Sequence, residues 1–388
     1  MAAALVPVLA LAAFGVVQAV SSEGTSAASD DILNPHPAAG PFTADETTLE
    51  DCAQSDDRRR CLEQAFGNVA YRTSGKRALA LVAERQTSDA EVAAGCHRIV
   101  HSVGAAVLAR EQGNAGEALV DGDSTCWSGF YHGLLERALA PARSAEELGA
   151  LIKTLCDPSQ QSWTAFTHYQ CLHGIGHGLM LRTGNALEAS LDLCTELQDQ
   201  WSRQSCDGGV FMESFTPSLD LEPPPFDTGQ PLAPCPTVAV QHKLYCYLQV
   251  ADNLVRATGY DWSEVAAACE TEPSTRWRAI CFQGYGRQAS GNNYGKPRAV
   301  AELCSVATAG QSECVYGAAR DIASNAASGA PAASFCRVLA PGIQARCFEG
   351  VGTILATLAT KSDVVRGQCV RLAGAHGDAC LRGAGLTA

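Results

Sequence analysis

Methionine is nearly absent, with 3 residues in a chain of 388, and aromatic side chains make up only 6%. Positive charge is also short: 28 Lys and Arg against 41 Asp and Glu leave a formal charge of −13, with no basic block to offset it. Such a surface repels phosphate backbones, which excludes nucleic acid as a partner. After the first twenty residues there is no second apolar run of membrane length, and no cysteine precedes Cys52, which excludes a lipobox anchor. No C-x-x-C-H occurs, so covalent c-type haem is excluded. No phosphate loop occurs either, and Ser128 in Cys126-Trp127-Ser128-Gly129 lacks the first glycine of a nucleophile elbow.

Cysteine, in contrast, is abundant. Eighteen of them, an even number, suit complete pairing in an oxidising compartment outside the cytoplasm. The N-terminus predicts the same location. Residues 2–20 are apolar and end in Val17-Gln18-Ala19, which fits a signal peptide or, at this length, an uncleaved membrane anchor. Residues 21–48 are rich in Ser, Ala, Asp and Pro and predict a disordered linker. Residues 49–388 form the cysteine-rich region, long enough and, with 46% hydrophobic residues overall, apolar enough to bury a sizeable core.

The cysteines are regularly placed. The phrase C-x-x-G begins at Cys126, Cys171, Cys206, Cys281, Cys314, Cys347 and Cys380, and with Cys246 included the successive steps from Cys171 are 35, 40, 35, 33, 33 and 33 residues. A period in this range belongs to arrays of two-helix units. Each second cysteine has a partner shortly before it, giving 156/171, 194/206, 235/246, 269/281, 304/314, 336/347 and 369/380, with 52/61 as the first pair. Nearest-neighbour bridges would staple the end of one helix to the start of the next. Cys96 and Cys126 then remain as partners, linking the starts of two adjacent repeats. Stretches such as Asn185–Cys194 and Pro297–Cys304 are rich in Ala and Leu at helical spacing. The prediction is an all-α, solenoid-like array of disulfide-stapled helical hairpins, with the phrase glycines allowing close helix approach. The proline-rich segment 216–236 interrupts the spacing and predicts a loop, a candidate lid.

The stapled hairpin resembles, in architecture, the Sel1-like and tetratricopeptide-like repeats of secreted cysteine-rich bacterial proteins. It departs from them in cysteine spacing and in the Sel1 glycine and tyrosine pattern. The resemblance implies a concave face that binds a protein partner, and no specific ligand.

Histidine is clustered. Six of nine lie between residues 97 and 177, and His97/His101, His132/Glu136 and His173/His177 are each four apart. On a helix such pairs project from one face. Imidazole suits zinc, iron and copper, and carboxylate adds charge or bridges two ions. These six residues and Glu213 predict a site for one or two transition-metal ions within about residues 96–213. The ligand inventory is similar to that of hemerythrin, where H-x-x-x-E and H-x-x-x-H helices hold two irons. His132 and His177 sit six residues after their cysteines, whereas His97 and His101 are one position out of phase. The equivalent positions in later repeats, Met212, Asp252, Arg287, Arg320 and Thr353, are mostly polar and predict a lined groove. His168 is a candidate partner behind the ligands, and His36, His242 and His376 are expected at the surface. Two functions follow as expectations: a metal-dependent hydrolase or oxygen-activating enzyme acting on a small molecule, or a non-catalytic protein-binding scaffold, secreted or tethered through residues 2–20.

Overall fold

A computed structural model describes residues 33–35, 40–157, 159, 163–218 and 226–387. The apolar N-terminal segment and His36 lie outside the described residues. Among those described there is no strand. The helices alternate between inner and outer members, with one exception where two inner helices follow each other across the proline-rich segment. The inner ones are α1 (Arg58–Arg72), α3 (Ala90–Arg110), α5 (Gly129–Ala138), α7 (Ala165–Arg182), α9 (Gln200–Phe215), α10 (Lys243–Ala257), α12 (Thr275–Asn292), α14 (Gln311–Asn325), α16 (Pro341–Leu358) and α18 (Gly377–Gly383). The outer ones are α2 (Gly75–Arg85), α4 (Ala115–Leu119), α6 (Ala145–Leu155), α8 (Leu187–Cys194), α11 (Trp262–Glu270), α13 (Pro297–Val306), α15 (Gly329–Val338) and α17 (Ser362–Ala373). Each inner helix packs on the next one along the chain, and the outer helices cover the joints.

Local sequence sets the boundaries. Ser74, Asp89, Asn114, Ser144, Thr164, Asp199, Asp261 and Ser274 cap their helices by accepting a backbone N–H from the first turn. Pro297 and Pro341 open α13 and α16, where a missing N–H costs nothing. Gly184 ends α7 at φ 64°, a left-handed conformation that lets the chain turn back towards α8. The helix α3 is the one described helix long and apolar enough to cross a membrane, but most of it is buried among α1, α2 and α5, the placement of a core helix.

All nine expected bridges are present and no described cysteine is free. Eight close short loops of 9 to 15 residues onto an inner helix. The ninth, Cys96–Cys126, spans 30 residues and ties α3 directly to the entry of α5. Nine bridges place the folded chain in an oxidising environment.

The phrase glycines mark where inner helices touch. A Cβ at Gly209 would collide with the carbonyl oxygen of His173, and one at Gly317 with that of Gln283. The same collision recurs at Gly284 and Gly383 with Leu248 and Glu349. Replacing Gly317 by Val, far from the histidines, is therefore expected to lower the unfolding free energy by about 1–3 kcal/mol or more. Denaturant unfolding checks this, and an unchanged midpoint would contradict the close packing.

The array curls. Helix α16 reaches back to α7, and the Trp127 ring stands 6.4 Å from that of Tyr294, just beyond α12. The inner helices consequently surround a groove. Residues 40–48, which composition reads as linker, lie along α1: the Phe42 ring fills the space over Gly67, and Asn68 donates to Asp45 and to the Thr47 carbonyl.

Candidate metal centre

Four consecutive inner helices bring the histidines together. Helix α3 carries His97 and His101, α5 carries His132 and Glu136, α7 carries His173 and His177, and α9 carries Glu213. All seven predicted residues meet in one cluster. Three overlapping groups place their ligand atoms within 4.8 Å of one another: His97, His101 and His132; His132, His173 and His177; and Glu136, His177 and Glu213. The two carboxylates are fully buried and His132 is 1% exposed.

The geometry is a repeated half-site. In α3 the Nε2 atoms of His97 and His101 face each other at 3.1 Å, and in α7 those of His173 and His177 face each other at 3.4 Å. The second histidine of each pair turns its Nδ1 to a glutamate on the next inner helix: His101 lies 3.0 Å from Glu136 and His177 lies 2.7 Å from Glu213. The first histidines differ: the His97 Nδ1 faces the Cys126 carbonyl at 2.7 Å, at the entry of α5, whereas the His173 Nδ1 is buried without a hydrogen-bond partner. His132 stands between the halves, stacked on His177 at 4.1 Å and edge-on to His97 at 5.1 Å. Its Nδ1 is buried without a hydrogen-bond partner.

The halves are related by a shift of 76 residues, from His97 to His173 and from His101 to His177. This resolves the phase offset in the sequence. Cys96 bonds sideways to the entry of α5 instead of back to an outer helix, so counting from it displaces the histidines by one.

An isolated pair of imidazole nitrogens 3.1–3.4 Å apart suits a single ion. At about 2.05 Å from each nitrogen, the ion would subtend an angle of about 100° to 110°, close to tetrahedral. A glutamate on the opposite ring nitrogen is the arrangement that orients a metal-bound histidine and raises its basicity. Glu136 and Glu213 thus stand behind the histidines at these contacts, a placement the sequence spacing did not distinguish from direct ligation. Ser218 joins the carboxylates: its one hydroxyl proton lies between Glu213 at 2.8 Å and Glu136 at 3.2 Å, while its N–H donates to Glu213 at 2.7 Å. Nothing in the sequence singled out Ser218. It opens the proline-rich segment, of which residues 219–225 lie outside the described residues.

Electrostatics favour ligand-ready imidazoles. Burial, reinforced by the His101 ring, lowers His97 to about 3, and burial with the neighbouring imidazoles holds His132 and His173 well below the usual range. Burial would push the Glu136 carboxyl up, but His101 and Arg137 outweigh it and hold the group below the usual carboxylate range. An unfolded histidine takes a proton near pH 6.5, so the unfolded chain binds more protons than the metal-free folded one between about pH 6.5 and about 3. Stability of the metal-free chain is fully present above that window and falls as the pH drops through it, by up to about 1.4 kcal/mol per pH unit for each such histidine. Denaturant midpoints at pH 7.5 and pH 5 test this; a midpoint that holds or rises on acidification would contradict it.

The cluster opens on one side. His97 and His177 line a pocket of about 400 Å³ together with Trp127, Met212, Asp252 and Arg287. Met212, Asp252 and Arg287, predicted as groove positions from the repeat phase, are here at the wall, and Arg320 lines the neighbouring pocket. Thr353 departs from the set, its hydroxyl donating to the Gly350 carbonyl within its own helix. His168 is not among the clustered groups; its ring lies 5.2 Å from Trp201. His242, expected at the surface, is buried because its Nδ1 pairs with Asp207 at 2.9 Å. His376 is half-buried against Phe348.

No protein-family model matches the chain, and no curated protein matches it. The functional reading therefore stands on the site.

Proposed function

We propose that this protein is an extracytoplasmic metalloprotein that binds two transition-metal ions, one at each His-x-x-x-His pair, with His132 between them. The observation that carries this is the duplicated half-site: two facing Nε2 pairs, each with a glutamate behind its second histidine. Imidazole nitrogen donors favour zinc, copper or iron over magnesium or calcium. Thiolate ligation has no source, since every cysteine is bridged.

A functional ion is favoured over a structural one. Each hairpin in the histidine region already has a covalent tie, and the site faces a pocket instead of being sealed. An ion with an open position can polarise a substrate oxygen, activate water, or meet dioxygen. We read the protein as a metal-dependent enzyme acting on a small molecule that reaches the ions through the groove, exported by way of its apolar N-terminal segment. Elemental analysis of disulfide-intact protein, before and after exposure to zinc, copper and iron, tests the ion content. About two equivalents per chain are expected; no uptake, or uptake below about a tenth of an equivalent, would end this reading.

A further inference from the structure

The groove continues past the metal centre into a second, smaller pocket. Its volume is about 170 Å³, and Met212, Arg287 and Asp321 line both pockets. One wall is aromatic, made by Phe166, Tyr169, Trp201 and Tyr245. Tyr169 also stacks on His173, with ring centres 5.5 Å apart and an interplanar angle of 25°, so this wall shares a ring with the metal centre. The other wall carries two guanidinium groups, Arg287 and Arg320.

These two arginines differ in their partners. Arg287 lies 3.7 Å from Asp321 and donates to Gln249. Arg320 has no carboxylate partner among the described residues; its guanidinium lies 5.7 Å from the centre of the Tyr316 ring, and its Nε is buried with no hydrogen-bond partner. Arg320 is half-buried, so its guanidinium faces the pocket with charge uncompensated by an acid, and a carboxylate is its planar, two-pronged complement. The size of the pocket sets the rest of the ligand. A cavity of about 150 Å³ accommodates one benzene ring, so the space here suits a single-ring molecule held between aromatic side chains.

We infer that this pocket binds a small aromatic carboxylate, with the ring against Tyr169, Trp201 and Tyr245 and the acid on Arg320. This rests on the metal reading only in placing such a ligand beside the ions. The carboxylate site itself is built from residues that ligate nothing.

Benzoate is the probe. Calorimetric titration of the full chain, metal-free and metal-loaded, is expected to give saturable binding of one benzoate in both forms, with benzamide, its neutral equivalent, weaker by about ten-fold or more. Arg320→Gln should weaken benzoate by about ten-fold or more, and Arg320→Lys should recover part of the loss because it restores charge but not the fork. Trp201→Ala, at the exposed rim, should weaken benzoate severalfold with the helical fold intact, which covers the case in which Arg320→Gln does not fold. The inference is overturned if benzoate does not saturate the chain, if benzamide or inorganic phosphate binds as tightly, or if benzoate binding survives both Arg320→Gln and Trp201→Ala. Benzoate binding to a chain that takes up no metal would uphold this site and remove only its ionic neighbour.

Discussion

Reduction of the bridges is expected to unfold the chain outright. Eight of the nine close loops of 9 to 15 residues. A loop of this length removes about 3 kcal/mol of unfolded-state freedom. A folded protein is typically stable by only about 5–15 kcal/mol, so losing a few staples exhausts the margin. The helices offer little in reserve, because their packing faces are rich in alanine and glycine and bury modest area per residue. Far-ultraviolet circular dichroism with a strong reductant should show loss of most of the helical signal, with eighteen thiols becoming titratable. Retention of the helical signal with all thiols free would show that packing alone holds the array. Removing only the last bridge, through Cys369→Ala with Cys380→Ala, should cost about 3 kcal/mol or less. Its damage should stay in the terminal repeat, since in an array each unit leans mainly on its neighbours.

Metal content should respond to the histidines in steps. His97→Ala with His101→Ala removes one facing Nε2 pair and is expected to leave about one equivalent of metal on the other. His173→Ala with His177→Ala should give the reciprocal result. His132→Ala removes the ring common to both three-histidine groups and should weaken both ions together. Helical content should persist in all three variants, because the bridges at Cys96–Cys126, Cys156–Cys171 and Cys194–Cys206 tie these hairpins independently. At a free metal concentration one hundred times the dissociation constant, each ion adds about 2.7 kcal/mol, so the melting temperature should also fall in steps. Loss of both ions from either double variant would mean one shared centre instead of two half-sites.

Much of this architecture is legible in the cysteines. Their recurrence fixes the repeat, and nearest-neighbour pairing is correct for the eight short bridges because a staple across a short turn leaves each cysteine only one partner within reach. The Cys96–Cys126 link follows by elimination, yet its direction, from inner helix to inner helix, is visible only in space. The seven site residues come together because spacing by four puts them on one helix face and the repeat sets those faces side by side. Which nitrogen of each ring faces its partner was not legible. That depends on Glu136, Glu213 and the Cys126 carbonyl, which approach from neighbouring helices and leave no periodic trace. His242 shows the same limit, because only the fold brings Asp207 to it. Arg287 and Arg320 were readable as groove positions from phase alone. The closure of the array that turns the groove into pockets depends on a return contact between α7 and α16, which no local pattern encodes.

Anomalous X-ray diffraction from crystals of the metal-loaded protein tests the central claim most directly. Two peaks are expected, one about 2.0–2.1 Å from the Nε2 atoms of His97 and His101 and the other at the same distance from those of His173 and His177. A single peak, a peak held by Glu136 and Glu213 without either histidine pair, or metal found only at the protein surface would contradict it.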